Sequence, residues 1–252
     1  WDAALAAGDV APLVRRHLRI DSRYARVFLL GAGKASGAMA AAAEEVAGDR
    51  VAGGFVVVKD GYGGRLSRVE IAEAGHPVPD ARGLAASARL LEIARSAGEN
   101  DLVLFLVSGG GSALTPAPAP PITLAEKQEV TRLLLASGAT IGELNAVRKH
   151  LSLFKGGQLA RAAAPATVLT LALSDVIGDP LDVIASGPTA PDPATFADAL
   201  GVLVRRGLTD RIPTSVARRL EAGCAGRIEE TPQPGDPLFD RVIRVELAEE
   251  PR

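Results

Sequence analysis

The chain has 252 residues, and its 47% hydrophobic content is enough to build the core of a globular domain. Its 28 basic and 30 acidic residues nearly cancel, so no overall charge favours nucleic acid or an anionic membrane as a partner. A single cysteine, Cys224, excludes an internal disulfide, and no apolar stretch reaches the ~20 residues that span a bilayer. Composition therefore predicts a cytoplasmic protein whose partners are small molecules.

Short apolar runs alternate with helical patterns along the chain. A helix is predicted at 11–19, and an alanine-rich helix after the first strand extends to Ala47. Further helices are predicted at 80–97, after capping boxes at Thr123 and Thr140, at 194–206 and at 213–222. The predicted strands are 27–30, 55–58, 69–72, 102–107 and 167–173. This alternation predicts an α/β, doubly wound, mostly parallel, Rossmann-like sheet with helices on both faces.

The most informative segment is the glycine loop after the fourth predicted strand. The run 102–107 lacks polar alternation, which is typical of a strand buried on both faces. It leads directly into Ser108, Gly109, Gly110, Gly111 and Ser112. Ligands of open α/β sheets bind at the carboxyl ends of strands, where glycines let backbone N–H groups approach an anion. A tight turn is the alternative, but it needs fewer glycines.

A second glycine loop, residues 31–37, follows the first predicted strand. Its spacing matches neither a P-loop nor the dinucleotide fingerprint, which needs a glycine where Ser36 stands. The loop still joins a strand to a helix N-terminus, so Gly33, Ser36 and free backbone N–H groups are expected to bind an anion. Lys34 is unfavourable beside the positive end of the helix dipole, which an anion would offset. A lysine that simply reaches solvent is the alternative.

Two carboxylates, Asp175 and Asp179, follow the fifth predicted strand. Mg²⁺ takes one or two carboxylates and keeps water and substrate phosphates as its other ligands. The pair therefore predicts a magnesium site. A capping or turn-stabilising role is the alternative, which fits Asp179 as well as metal binding does.

A polar helical face is predicted in residues 145–152. Asn145, Arg148, Lys149 and Ser152 lie three or four positions apart, which makes them neighbours on a helix. Such a face can bind an acid, but a solvated surface helix has the same pattern.

Six segments, taken in order, resemble the glycerate 2-kinases of the MOFRL type, whose members have often been called hydroxypyruvate reductases. The segments are 31–36, 75–80, 108–114, 145–157, 173–179 and 185–189. The resemblance is to the N-terminal domain and extends to about residue 245. It implies an ATP- and Mg²⁺-dependent kinase that converts D-glycerate to 2-phosphoglycerate. The reaction would occur in a cleft between a Rossmann-like domain and a smaller C-terminal domain.

Phosphoryl transfer gives each predicted loop a role. The protein must neutralise charge on the transferring group, which lysines, glycine amides and a metal can do. We assign Lys34 to the phosphoryl group, Asp175 to Mg²⁺ or the substrate hydroxyl, and Arg148 with Lys149 to the acid. Lys34, Asp175 and Arg148 are the predicted catalytic residues. The loop 108–112 is assigned to nucleotide phosphates or to the substrate carboxylate.

The sequence has no counterpart of the family's C-terminal domain. Residues 1–240 are predicted to form the Rossmann-like kinase domain, and 241–252 a linker or the start of a truncated second domain. The first residue is Trp1 rather than methionine, so we expect a trimmed or partial gene product. Because half of the cleft would be missing, we expect this chain to be inactive alone. The sequence is compatible with a homodimer and leaves the oligomeric state open.

Two other functions stay open. An NAD-dependent hydroxypyruvate reductase fits a Rossmann-like sheet. Two features count against a reductase. The third glycine of the dinucleotide fingerprint, Gly37, comes one position too late, and Lys59 precedes Asp60 at the position where a lone acidic residue should bind the ribose. The other is a non-catalytic module that binds an organic acid or a nucleotide.

Overall fold

The computed structural model describes residues 10–173 and 183–247. The strands are β1 (Arg26–Ala32), β2 (Val51–Lys59), β3 (Glu70–Ala74), β4 (Asp101–Ser108), β5 (Thr167–Leu173) and β6 (Val242–Glu246). They form a parallel six-stranded sheet in the order β3-β2-β1-β4-β5-β6. The predicted doubly wound α/β fold is confirmed.

Nine α-helices lie in the described part of the chain. They are α1 (Val10–His17), α2 (Ser36–Ala47), α3 (Ala81–Ser96), α4 (Gly111–Leu114), α5 (Leu124–Ala136), α6 (Ile141–His150), α7 (Gln158–Ala163), α8 (Phe196–Arg205) and α9 (Thr214–Cys224). Short 3₁₀ turns cover Gly48–Arg50, Ile184–Ser186 and Pro237–Arg241. None of these helices is long and apolar enough to cross a membrane.

The sheet is buried on both faces by two separate hydrophobic cores. Leu30 and Phe105 pack in the core that α3 and α7 cover, whereas Leu29 and Leu104 pack in the core that α1 and α2 cover. Successive strand residues point to opposite faces, so both must be apolar. All eight residues of β4 are buried. This double burial explains why the strands appear in the sequence as continuous apolar runs.

A third core joins helices α5, α6, α8 and α9. The predicted capping boxes at Thr123 and Thr140 are present and start α5 and α6, and Thr195 starts α8 in the same way. His150, at the end of α6, is buried, and its Nε2 lies 2.8 Å from Glu230 Oε1. This helical layer sets the position of α6 relative to the sheet.

Two features of the sheet differ from the prediction. Strand β2 begins at Val51 rather than at residue 55, and it includes Gly54, where a Cβ would lie 2.1 Å from Leu29 O. Glycine is needed there for close contact with β1, although it interrupts the apolar run. Strand β6 was not predicted, because an edge strand with exposed residues lacks a continuous apolar pattern. It lies within 241–252, so five residues of that segment belong to the sheet; a domain boundary near 240 stays a prediction.

Asp101 joins the amino-terminal ends of β1 and β4. Arg26 Nη2 donates to its Oδ2 at 2.7 Å, and the Gly98 N–H donates to the same oxygen at 2.7 Å. The hydrogen bonds from Arg26 lower the pKa of this buried carboxyl, with further lowering from Gly98. Because the folded-state pKa is the lower one, the stabilisation is complete above the unfolded pKa of about 3.9 and is lost as the pH falls.

We therefore expect Asp101→Asn to lower the free energy of unfolding at pH 7 by about 1–3 kcal/mol. The difference from the unmodified chain should shrink as the pH falls below about 4. Urea denaturation at pH 7 and at pH 3 measures both effects, with the exposed Asp210→Asn as the control. A difference that does not change with pH would contradict the electrostatic explanation.

Candidate active site

The loops after β1 and β4 meet at the point where the strand order reverses. From β1 the chain continues to β2 on one side, and from β4 to β5 on the other, which opens a crevice at the carboxyl ends of the strands. The Lys34 N–H donates to Gly109 O at 3.0 Å, and the Ala35 N–H donates to Ser108 Oγ at 3.0 Å. The two predicted glycine loops therefore form one site.

Three predicted ligand-binding residues hold these loops together. A Cβ at Gly33 would lie 2.2 Å from Ser108 Oγ, so only glycine permits this contact. The Ser36 hydroxyl donates to Leu106 O at 3.0 Å and lies 3.5 Å from Ser108 Oγ, and both serines are buried. In this geometry Gly33, Ser36 and Ser108 position the loops, which differs from the predicted direct contact with an anion.

The backbone N–H groups of the two loops have different partners. Those of residues 33–35 donate to Val57 O, Gly109 O and Ser108 Oγ, so the free N–H groups predicted in the first loop are not at these three positions. In contrast, no residue that the structure describes accepts a hydrogen bond from the N–H groups of residues 109–111. The loop after β4 therefore keeps three consecutive N–H groups without an acceptor among the described residues.

Two cations from separate elements flank this second loop. A Cβ at Gly110 would lie 3.6 Å from Lys34 Cγ, and Arg148 Nη2 donates to Ser112 Oγ at 2.7 Å. Within residues 10–173 and 183–247, no carboxylate pairs with Lys34 or Arg148. Burial lowers the pKa of Arg148. The loop is thus an electropositive site that an anion would complete.

The ring of His76, which follows β3 in the chain, packs against the same loop. A Cβ at Gly110 would lie 3.1 Å from its ring atoms Cδ2 and Nε2. Burial, together with the ammonium groups of Lys34 and Lys59, lowers the pKa of His76. The imidazole is therefore neutral at pH 7 and can donate or accept one hydrogen bond at the site.

A chain of polar side chains connects α6 to the glycine loop. Ser186 Oγ lies 3.0 Å from Ser112 Oγ and donates to Asn145 Oδ1 at 3.0 Å. Ala185 and Ser186 have φ values of 52° and 63°. The left-handed region costs a residue with a side chain about 1–2 kcal/mol, a strain that often occurs at functional sites. Asn145 is buried, so α6 is not a solvated surface helix.

Other members of the predicted polar face belong to the framework. Lys149 Nζ lies 3.3 Å from Asp192 Oδ1, and both side chains are buried. Ser152 follows the end of α6, and its hydroxyl accepts from the N–H groups of residues 154 and 155. A direct role for Lys149 in binding the acid stays a prediction. Asp192 was missed because its partner lies 43 positions away in the sequence.

Two buried lysines that were not predicted support the glycine loop. Lys155 Nζ donates to Ser112 O at 2.9 Å and to Thr115 O at 3.0 Å, and Lys127 Nζ donates to Pro116 O at 2.5 Å. Burial and the nearby Arg148 hold the pKa of both lysines well below the usual range. They fix the segment that carries Ser112. Of the two lysines, only Lys155 lies in a segment that carries the family resemblance, residues 145–157.

The predicted metal ligands Asp175 and Asp179 lie outside the described residues. In the part of the chain that the structure describes, no three His, Cys, Asp or Glu residues are grouped closely enough to hold a metal ion. The magnesium site therefore stays a prediction.

The sequence matches the family DUF4147, described as a domain of unknown function, over residues 1–221, so the chain belongs to this family. It is 52% identical over 184 residues to the D-glycerate 2-kinase of Thermotoga maritima, covering 73% of this chain and 44% of that protein. A protein of Agrobacterium vitis with the provisional name hydroxypyruvate reductase is 45% identical over 236 residues, covering 94% of this chain and 52% of that protein.

A crystal structure of the glycerate kinase of Thermotoga maritima has a TM-score of 0.85 to this chain at 42% sequence identity. The match covers 98% of this chain and 56% of the solved chain. The predicted resemblance to the glycerate 2-kinases is therefore confirmed. The chain spans about half the length of the curated relatives it matches.

Gly110→Ala tests whether the glycine loop binds anions. The residue has φ 89°, and a Cβ would press on the His76 ring. Gly138→Ala is a matched control, because Gly138 has φ 72° but nothing within 4 Å of its Cβ position. Both variants should lose about 1 kcal/mol of stability. Only Gly110→Ala should weaken the binding of inorganic phosphate in calorimetry, by about tenfold. Equal affinities in both variants would favour a plain turn.

Proposed function

We propose that this chain is the Rossmann-like domain of an ATP-dependent D-glycerate 2-kinase, which forms 2-phosphoglycerate. The observation that carries the proposal is the loop 109–111, whose N–H groups have no acceptor among the described residues and which Lys34 and Arg148 flank. Phosphoryl transfer needs this combination of backbone donors and fixed cations, because its charge develops on phosphate oxygens. The names of the relatives in Thermotoga maritima support the same reaction.

The reaction joins the 2-hydroxyl oxygen of D-glycerate to the γ-phosphorus of ATP. The bond between that phosphorus and the β–γ bridging oxygen breaks, ADP leaves with the electron pair, and the hydroxyl proton passes to a base. In the proposal, Lys34 neutralises the transferring group, Arg148 and Asn145 orient the acid, and residues 109–111 hold anionic oxygens. Asp175 is the proposed base or metal ligand. Mg²⁺, held by Asp175 and Asp179, would neutralise phosphate charge.

A reductase is the second candidate, and the provisional name of the Agrobacterium vitis relative favours it. The geometry after β2 counts against NAD. Arg82 binds both carboxylate oxygens of Asp60, at 2.5 and 2.8 Å, and these hydrogen bonds lower the pKa of Asp60. A ribose hydroxyl would therefore have to share this carboxylate with Arg82. The kinase is therefore the better supported function, and composition supports a cytoplasmic location.

Lys34→Ala should reduce glycerate-dependent ADP release by the complete protein by roughly 100-fold or more, because it removes a charge that stabilises the transition state. The melting temperature should change little, since no described carboxylate depends on Lys34. Lys34→Arg, which keeps the charge, should retain part of the activity. Full activity of Lys34→Ala in a coupled ADP-release assay would overturn its assignment.

The 252-residue chain alone should bind ADP without catalysing transfer. In-line transfer needs both reactants held and water excluded, and the chain matches less than half of the length of relatives with glycerate kinase names. Calorimetry with ADP, D-glycerate and NADH, followed by the ADP-release assay on the chain and on the complete protein, tests the proposal. Binding of NADH but not ADP would favour the reductase. Strong glycerate-dependent ADP release by the chain alone would show that the whole active site lies within these 252 residues, which would contradict the two-domain mechanism.

A further inference from the structure

A groove of ≈ 430 Å³ opens beside the candidate active site, between α2 and the segment that joins β2 to β3. We call it the α2 groove. Its walls include Gly37, Ala38 and Ala41 on one side and Tyr62, Leu66 and Ile71 on the other, with Lys34 also lining it. Sites for small organic ligands have volumes of about 300–1,000 Å³, so the α2 groove is large enough for one.

The walls suit a flat, largely apolar group. The side of α2 carries only small residues at helical spacing, which leaves room above the helix. A Cβ at Gly37 would lie 3.1 Å from Ile71 Cδ1 and 3.6 Å from Tyr62 O, so a larger residue would close the groove here. Tyr62 adds an aromatic ring on which a base can stack.

The outer wall is fixed by two carboxylates. The Gly63 N–H donates to Glu73 Oε1 at 2.8 Å. The N–H groups of Ser67 and Arg68 donate to the Glu44 carboxylate at 2.8 and 2.7 Å. These hydrogen bonds tie the segment to β3 and α2, so the groove is largely formed before a ligand binds.

Lys34 connects the α2 groove to the glycine loop. Its side chain lines the groove, and its N–H is bonded to Gly109. Arg65 is the second cation of the lining. A phosphate chain that left the groove past Lys34 would reach the N–H groups of residues 109–111, for which the described part of the chain holds no acceptor. Arg148 and Ser112 form the other end of the same loop, on the side of α6.

We propose that the α2 groove binds the nucleoside of the nucleotide substrate, which places the hydroxy acid on the opposite side, beside Arg148. The inference rests on the proposed function and assigns its two ligands to two sides of the glycine loop. The size of the groove decides the assignment, because a three-carbon acid would leave most of its ≈ 430 Å³ empty, whereas a nucleoside would fill it. The apolar wall around Tyr62 fits a base.

Ala41→Trp tests the inference by filling the groove. Ala41 is an exposed position of α2 that lines the groove, and Ala88, an equally exposed position of α3 outside it, is the matched control as Ala88→Trp. In the 252-residue chain, Ala41→Trp should weaken ADP binding by about tenfold or more while D-glycerate binding changes less than about twofold. Ala88→Trp should change neither. Unchanged ADP affinity in Ala41→Trp would overturn this inference and leave the proposed kinase intact.

Hydrogen exchange of the unmodified chain gives a second test that does not depend on a variant. ADP should slow amide exchange in residues 61–66, and D-glycerate should not. Protection by ADP elsewhere in the chain, without protection of 61–66, would also overturn the inference. If the unmodified chain binds NADH but not ADP, the proposed function itself fails together with this assignment.

Discussion

The hydrogen bonds between the loops after β1 and β4 are the contact on which the site depends. The N–H groups of Lys34 and Ala35 bind Gly109 O and Ser108 Oγ, and Gly33 alone allows the approach. This contact occupies the N–H groups of Lys34 and Ala35, whereas those of residues 109–111 have no acceptor among the described residues. It also holds the Lys34 side chain beside Gly110. The contact between the two loops therefore depends on glycine at position 33.

The site also concentrates positive charge, which is costly for folding and useful for function. Lys34 and Arg148 flank the loop, and the buried Lys127 and Lys155 support it from behind through backbone carbonyls. Burial lowers the pKa of both lysines, because it disfavours the charged ammonium form. Sites that keep unfavourable electrostatics and strained turns, as at Ser186, are typical of ligand-binding positions.

The strand order separates two binding regions around this loop. Strands β2 and β3 lie on one side of β1, where the α2 groove opens, whereas α6 approaches from the other side of β4. A two-substrate reaction needs such a separation, because its ligands must meet at one point from opposite directions. Lys34 lies at the junction of the two regions, which agrees with the role that the proposed transfer gives it.

The sequence by itself determined the sheet, the glycine loop and the helix starts, because buried parallel strands and capping residues such as Thr123 and Thr140 are local patterns. It missed β6, whose edge position removes the apolar pattern, and it could not decide whether the polar face of α6 was solvated. Only the tertiary structure showed that Lys149 pairs with Asp192 and that the N–H groups of 33–35 are occupied. Those facts depend on residues distant in the sequence, and no local pattern records which partner a donor meets after folding.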